Sequence, residues 1–501
     1  MKTFRLAAPA LSLGLLAAGL IVVPAQAAPP QTTAPAFTPT LAYEACPPGE
    51  KLPAGTRCAT LTVPLDWQTP DDGRTIEIAL RVKRSKQRGG GLTFNPGGPG
   101  AAGITYTSEI YSELPASVRA RFDFVAWDPR GVGLSGPVLN DCPEPRDVDP
   151  PATGPVDWRV FWEEQLAANA EANSACLTGN PDAAPYLGTW QVVRDLEAMR
   201  IALGYEQWNY WGMSYGTRIG HAYARTFPNS LRALIMDGSV MAGETLYRFG
   251  TTYPAALEVS QQVYASIIGR GQAHKIDVIF DYLDDSVIPT ASGDFTRWEF
   301  ALQLKDQLGR QVAYPALREQ VNKLYDAVVA TNTPRRARAL RDAGEAWMGR
   351  PRANPMAITL VLINCSDLHD RPTASQLAAA SMAAERQYGT ASPLWSFNSS
   401  ICEGLPADMS PASPSGTDTI ALATPPMFVL STGDSATPWV WGRSMANSFA
   451  RSRTISYAST QHVTYMQTPS ACVNDPVTTY LLTLRQPNRD ISCGFVPSPV
   501  P

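Results

Sequence analysis

One five-residue stretch constrains this chain more than any other: Gly212-Met213-Ser214-Tyr215-Gly216 joins a short apolar run, 209–212, to a helical pattern that begins near Tyr215. A serine between two glycines at a strand-to-helix junction predicts a sharp turn that lifts its hydroxyl off the end of a sheet. Only glycine lets the neighbouring backbone come so close. Such a turn needs a parallel sheet with crossover helices around it. The sequence supplies apolar, β-rich runs at 61–64, 75–82, 91–95, 122–127, 209–212, 231–236, 427–431 and 454–457, with helical patterns between them and a C-terminal helix expected over 477–484.

From 241 to 422 the strand alternation stops, and amphipathic helical stretches such as 300–308 and 318–329 take over, separated by loops containing Pro and Gly. The simplest organisation is one sheet interrupted by a helical insertion. Residues 41–240 are the first part of the core, 241–422 a helical cap and 423–501 the second part. Ahead of them, two positive charges, an apolar run to Val23 and Pro24-Ala25-Gln26-Ala27 read as a signal peptide over 1–27, leaving no membrane-inserted segment after cleavage. Residues 28–40 are mostly Pro, Ala and Thr and are expected to be a structureless leader to a secreted, extracellular chain. With a formal net charge of -4 there is no basic surface for nucleic acid.

A serine hydroxyl is a weak nucleophile and needs a base, usually histidine, oriented by a carboxylate. There are four histidines. His221 lies two turns along the helix that follows Ser214, and His274 and His369 fall in the insertion. His462 follows the last strand and is the expected base. The acid is expected at Asp434, directly after the run 427–431, with Asp237 after 231–236 as the rival; with Asp434 as the acid, Asp237 is expected to be a turn residue bonding its own backbone. The oxyanion formed on attack needs backbone donors. Tyr215, next to the nucleophile, offers one N–H, and in Asn95-Pro96-Gly97-Gly98-Pro99-Gly100 the prolines have none, which makes Gly98 the choice for the second. Acyl transfer by such a set requires no cofactor and no metal.

The eight cysteines contain no C-x-x-C pair, and in an exported chain an even number favours disulfides. Short loop closure points to sequential pairing: Cys46 with Cys58, Cys142 with Cys176, Cys365 with Cys402, and Cys472 with Cys493.

Residues 95–100, Asp128-Pro129-Arg130-Gly131-Val132-Gly133-Leu134-Ser135, 212–217, 434–438, and His462 followed by Cys472, Tyr480 and Cys493 together resemble the secreted tripeptidyl-aminopeptidase-like serine hydrolases. That family has the α/β-hydrolase fold and is related to the proline iminopeptidases. The resemblance implies an exopeptidase that removes short peptides from free N-termini, with a helical cap over the triad and Gly98 and Tyr215 as oxyanion hole. Two departures separate the chain from proline iminopeptidases: they have histidine where Asn95 stands, and their catalytic histidine often lies between glycines, whereas here it is in Gln461-His462-Val463.

A buried substrate ammonium needs an opposite charge. In the insertion, Asp367 in Asn364-Cys365-Ser366-Asp367 is the expected partner, held by the disulfide at Cys365. Fold and triad do not choose the leaving group, so an esterase or amidase acting on a small acyl compound is the alternative to a peptidase. A non-catalytic binding protein is a third reading, which an intact triad disfavours.

Overall fold

The computed structural model describes residues 37–498 except 141, 144–145, 147, 332, 349–356, 390–391 and 393–397. The signal peptide and the leader up to 36 lie outside the described residues. Ten strands form one sheet: β1 (Thr40–Glu44), β2 (Thr56–Pro64), β3 (Thr75–Lys83), β4 (Gly91–Asn95), β5 (Asp123–Trp127), β6 (Trp208–Met213), β7 (Leu231–Asp237), β10 (Met427–Ser431), β11 (Arg453–Tyr457) and β12 (Ile491–Cys493). A separate hairpin, β8 (Ile288–Thr290) and β9 (Gly293–Phe295), lies in the cap. The sheet order is β1-β2-β3-β5-β4-β6-β7-β10-β11-β12, antiparallel as far as β5 and parallel beyond it.

The parallel strands β4, β5, β6 and β10 are buried at every residue. Covered on both faces by helices, they read in the sequence as unbroken apolar runs. Two strands escaped that reading for a physical reason: β1 is a mostly exposed edge with no apolar face, and β12 has only three residues. Residues 37–40 are also part of the fold and not leader. Phe37 packs edge-on against Trp67, ring centroids 6.2 Å apart, and Thr40 opens β1.

The insertion is helical over most of its length, with an apolar core of its own around Leu304, Leu317, Val321 and Leu324. Its helix Arg297–Leu308 starts a turn earlier than expected because Thr296 and Glu299 form a capping box. The cap is not confined to 241–422. Helix Trp158–Gly179, which precedes the serine turn, packs on Ala374–Tyr388, sharing a cluster of Trp158, Phe161, Trp162, Trp298 and Leu377. The Trp162 indole N–H donates to Ser381 Oγ at 2.9 Å. Disulfides join Cys46 to Cys58, Cys142 to Cys176, Cys365 to Cys402 and Cys472 to Cys493. Among the described residues no helix is long and apolar enough to cross a membrane.

Candidate active site

Strand β6 ends at Met213, and Ser214 sits in the left-handed region at φ +53° before helix Gly216–Thr226 begins. That conformation costs a non-glycine residue about 1–3 kcal/mol, so the surroundings must hold it. A Cβ on Gly212 would lie 2.4 Å from the Gly216 carbonyl, and one on Gly216 would lie 2.5 Å from the Asn95 carbonyl. The Ser214 amide donates to the Asp237 carbonyl at 3.0 Å. Among the described residues the Ser214 hydroxyl has no hydrogen-bond partner. Contacts to the base in unliganded hydrolases are often long and close only when substrate binds.

His462 Nδ1 lies 2.9 Å from Asp434 Oδ2. The Asp434 carboxylate is held in turn by the amides of Ala436 and Thr437 on Oδ1 (2.8 and 2.9 Å) and by Thr437 Oγ1 on Oδ2 (2.8 Å). Burial alone would lower the His462 pKa. The charge and hydrogen bond of Asp434 outweigh it and lift the imidazole above its ordinary value, with Asp237 adding to the rise and Lys305 opposing it. The rival acid does something else. Asp237 is fully buried, and its two oxygens accept the amides of Thr464 and Tyr465, each at 2.9 Å, in the loop after His462. It bonds backbone far away in sequence, not its own turn. Burial pushes its carboxyl up to about 7, against the pull of those two amides and of nearby His462.

The loop after β4 approaches Ser214 closely: a Cβ on Gly97 would stand 2.8 Å from that of Ser214. The Gly97 amide is taken by Asn95 Oδ1 at 3.0 Å, while the Gly98 amide makes no hydrogen bond among the described residues. Tyr215 is the N-cap of its helix, so its amide also lacks a partner within the helix. The other histidines are accounted for elsewhere. His221 Nε2 pairs with Ser448 Oγ at 2.8 Å in the core, where burial pushes its pKa down to about 3. His369 Nε2 lies near the Ser366 and Ser410 carbonyls, and His274 lies beside Tyr325.

A cavity of about 140 Å³ opens over the serine, lined by Gly98, Ser214, Tyr215, Glu244, Thr437 and Trp441 among others. Asp367 is not on its wall. Its side chain is buried, with Oδ1 accepting the Thr189 amide (2.6 Å) and Oδ2 accepting Thr189 Oγ1 (2.6 Å) and Arg218 (3.0 Å). Both oxygens are engaged within the fold and the side chain is not part of the cavity lining, so the structure does not present it to a substrate ammonium. The acid that does line the cavity, Glu244, was missed by sequence reasoning. Its Oε2 accepts Arg218 Nε and Nη2 at 3.1 and 2.7 Å, whereas Oε1 is buried and has no hydrogen-bond partner among the described residues. Burial pushes the carboxyls of both Glu244 and Asp367 up against the downward pull of Arg218. The signal was there to read: Arg218 lies in the first turn of the helix that follows the serine, a helix buried along most of its length, and a guanidinium buried there needs counter-charges.

A family model described as "TAP-like protein" matches residues 388–493, the stretch that carries Asp434 and His462, and one described as "alpha/beta hydrolase fold" matches 92–261, around Ser214. The chain has the α/β-hydrolase fold and carries a TAP-like region. Serine protease Hip1 of Mycobacterium tuberculosis is 28% identical to it over 476 residues, covering 89% of this chain and 89% of its own length. Tripeptidyl aminopeptidase of Streptomyces lividans is 27% identical over 523 residues, covering 92% of this chain and 87% of its own. Among solved structures, a proline iminopeptidase of Mycobacterium smegmatis aligns with 85% of this chain and 98% of its own at 15% identity, with a TM-score of 0.38.

Proposed function

We propose that this α/β-hydrolase is an exported serine exopeptidase. Ser214 is the nucleophile, His462 the base and Asp434 the orienting acid, with the Gly98 and Tyr215 amides holding the oxyanion. Ser214 Oγ attacks the carbonyl carbon of a peptide bond and passes its proton to His462. The tetrahedral oxyanion collapses to an acyl-enzyme as His462 gives that proton to the leaving amine. A water then repeats the sequence and releases the N-terminal fragment as a free acid. Asp434 keeps the imidazole in the tautomer with Nδ1–H facing it and stabilises the imidazolium in between.

The observation that carries the peptidase reading is the buried Oε1 of Glu244, without a hydrogen-bond partner among the described residues, in the same cavity as Ser214. An ester of a simple acid has nothing to offer it. The α-ammonium of a peptide would supply the missing donor and the missing positive charge, since two carboxylates face one guanidinium in this network. The relatives named as a serine protease and a tripeptidyl aminopeptidase point the same way, and the four disulfides fit an oxidising compartment outside the cell. Hydrolysis of one chromogenic peptide with a free and with an acetylated N-terminus tests the reading. Acetylation should lower kcat/KM by at least about a hundredfold, and equal rates would leave an esterase or an endopeptidase.

A further inference from the structure

The cap does more than roof the cavity. Between its helices Arg297–Leu308 and Tyr314–Val329 it makes a turn that grips the segment carrying the base. The His462 amide donates to the Gly309 carbonyl at 2.9 Å. The Gln311 amide donates to Gln461 Oε1 at 2.9 Å. The Thr460 amide donates to the Tyr314 hydroxyl at 3.0 Å, and the Thr460 hydroxyl contacts that same hydroxyl at 2.5 Å and the Leu308 carbonyl. Ser459 Oγ donates to Gln311 Oε1 at 3.3 Å. Each of the four residues 459–462 is thus bonded to a cap residue 146–153 positions earlier in the chain. On its other side the same loop is held by Asp237 through Thr464 and Tyr465. Between these two holds Val463 sits at φ +64°, a conformation that a β-branched residue adopts only under constraint.

We propose that the cap turn 308–314 is a positioning element for His462, so that the imidazole is aligned with Asp434 and Ser214 only while the cap is docked. The inference rests on the triad reading above. A loop that has to keep two residues in an unfavourable backbone region, Val463 and Met466 (φ +61°), does not hold its shape unaided. The core supplies one anchor through Asp237, and the cap supplies the other. Any displacement of the cap that lets substrate in or product out would then also slacken the base, which confines hydrolysis to the closed state.

Tyr314→Phe tests this. The ring, which packs against Tyr264 and Phe495, is kept, and only the hydroxyl that accepts the Thr460 amide is removed. Rates should be measured on a free-amine peptide anilide and on p-nitrophenyl acetate, which carries neither an amine nor a peptide chain. We expect kcat to fall by about 10- to 100-fold on both, the range for a slightly misplaced catalytic group, with KM within about twofold. The acid limb of kcat/KM should move to lower pH, because a slackened His462–Asp434 bond removes what lifts the imidazole pKa against burial, while Asp237 and Lys305 stay in place. Thr460→Val keeps that amide bond but removes the hydroxyl that contacts the Tyr314 hydroxyl and the Leu308 carbonyl, and it should lower kcat on both substrates in the same way. Tyr264→Phe removes an equally buried cap hydroxyl that has no hydrogen-bond partner among the described residues and should change none of these readings. A folded Tyr314→Phe with unchanged kcat, or with a loss confined to KM or to the peptide, overturns the inference. Ser214→Ala separates the two levels: activity surviving there would overturn the triad reading and this inference with it. Activity lost there but kept in Tyr314→Phe overturns the inference alone.

Discussion

Glu244→Gln should separate activity from stability in opposite directions. The side chain keeps its shape, and its carbonyl can still accept Arg218 Nε and Nη2 in place of Oε2. What disappears is the charge at Oε1. For a peptide with a free terminus, losing one partner of a buried charge pair costs about 3 kcal/mol or more, which at 1.36 kcal/mol per tenfold is roughly 150-fold in kcat/KM. The acetylated peptide has no ammonium to lose, so its rate should stay within a factor of about three, and the ratio between the two substrates should collapse. Stability should not follow activity down. Two carboxylates around one guanidinium leave the buried network one negative charge in excess, and burial already pushes the Glu244 carboxyl above its usual 4.5. A carboxyl whose folded pKa is raised gives stability that is complete below about 4.5 and is lost as pH rises through the folded value. Gln has no such loss, so its Tm relative to wild type should improve between about pH 4 and pH 7. Rates on both peptides and calorimetry at the two pH values give the answer. If Glu244→Gln lost the same factor on both substrates, or became several kcal/mol less stable at pH 7, the amine-site argument would be wrong.

Ser214→Ala should abolish fluorophosphonate labelling, and both it and His462→Ala should lower turnover by about a million-fold, since triad members act as one unit; a folded Ser214→Ala that still turns over rules the nucleophile out. Asp434→Asn should lower kcat by about 10⁴-fold. Asp237→Asn, in which one of the Thr464 and Tyr465 amides loses its acceptor, should instead cost about 1–3 kcal/mol of stability, and the reverse order would move the acid. The wild-type acid limb of kcat/KM should have its midpoint above 6.5, where the raised pKa of His462 puts it, and a midpoint below that value contradicts the His462–Asp434 geometry. Replacing Cys472 and Cys493 together by serine opens a crosslink spanning 21 residues. In the chain-entropy picture this costs about 3 kcal/mol, readable as a lower denaturation midpoint, with an m-value no smaller than wild type because the unfolded chain is released.

Local chemistry was legible in the sequence and long-range commitment was not. The turn at Ser214 could be read because a strained strand-to-helix junction writes its own requirement for Gly212 and Gly216. Asp434 and His462 followed from their places after β10 and β11. Which acid faces the cavity could not be read that way. Asp367 and Glu244 are both acids in the insertion, and only the fold shows Thr189, 178 residues earlier than Asp367, filling one and leaving the other open. The role of Asp237 was hidden for the same reason, since its partners Thr464 and Tyr465 lie 227 and 228 residues away. Helix boundaries slipped where a cap motif was overlooked, as at Thr296, and edge strands slipped where no apolar face exists to mark them.

The packing of helix Trp158–Gly179 against Ala374–Tyr388 has a practical consequence for anyone wishing to re-engineer this hydrolase. The roof over the serine is not a cassette. Excising 241–422 and grafting a relative's insertion in its place would leave Trp158, Phe161 and Trp162 without the neighbours Trp298, Leu377 and Ala378 that now cover them. The Cys365–Cys402 crosslink, by contrast, lies wholly within the excised stretch and leaves with it. A transplant that carries over the equivalent of residues 148–180 as well, so that donor helix meets donor helix, keeps that seam intact, and the serine turn between the two grafted stretches stays the host's own.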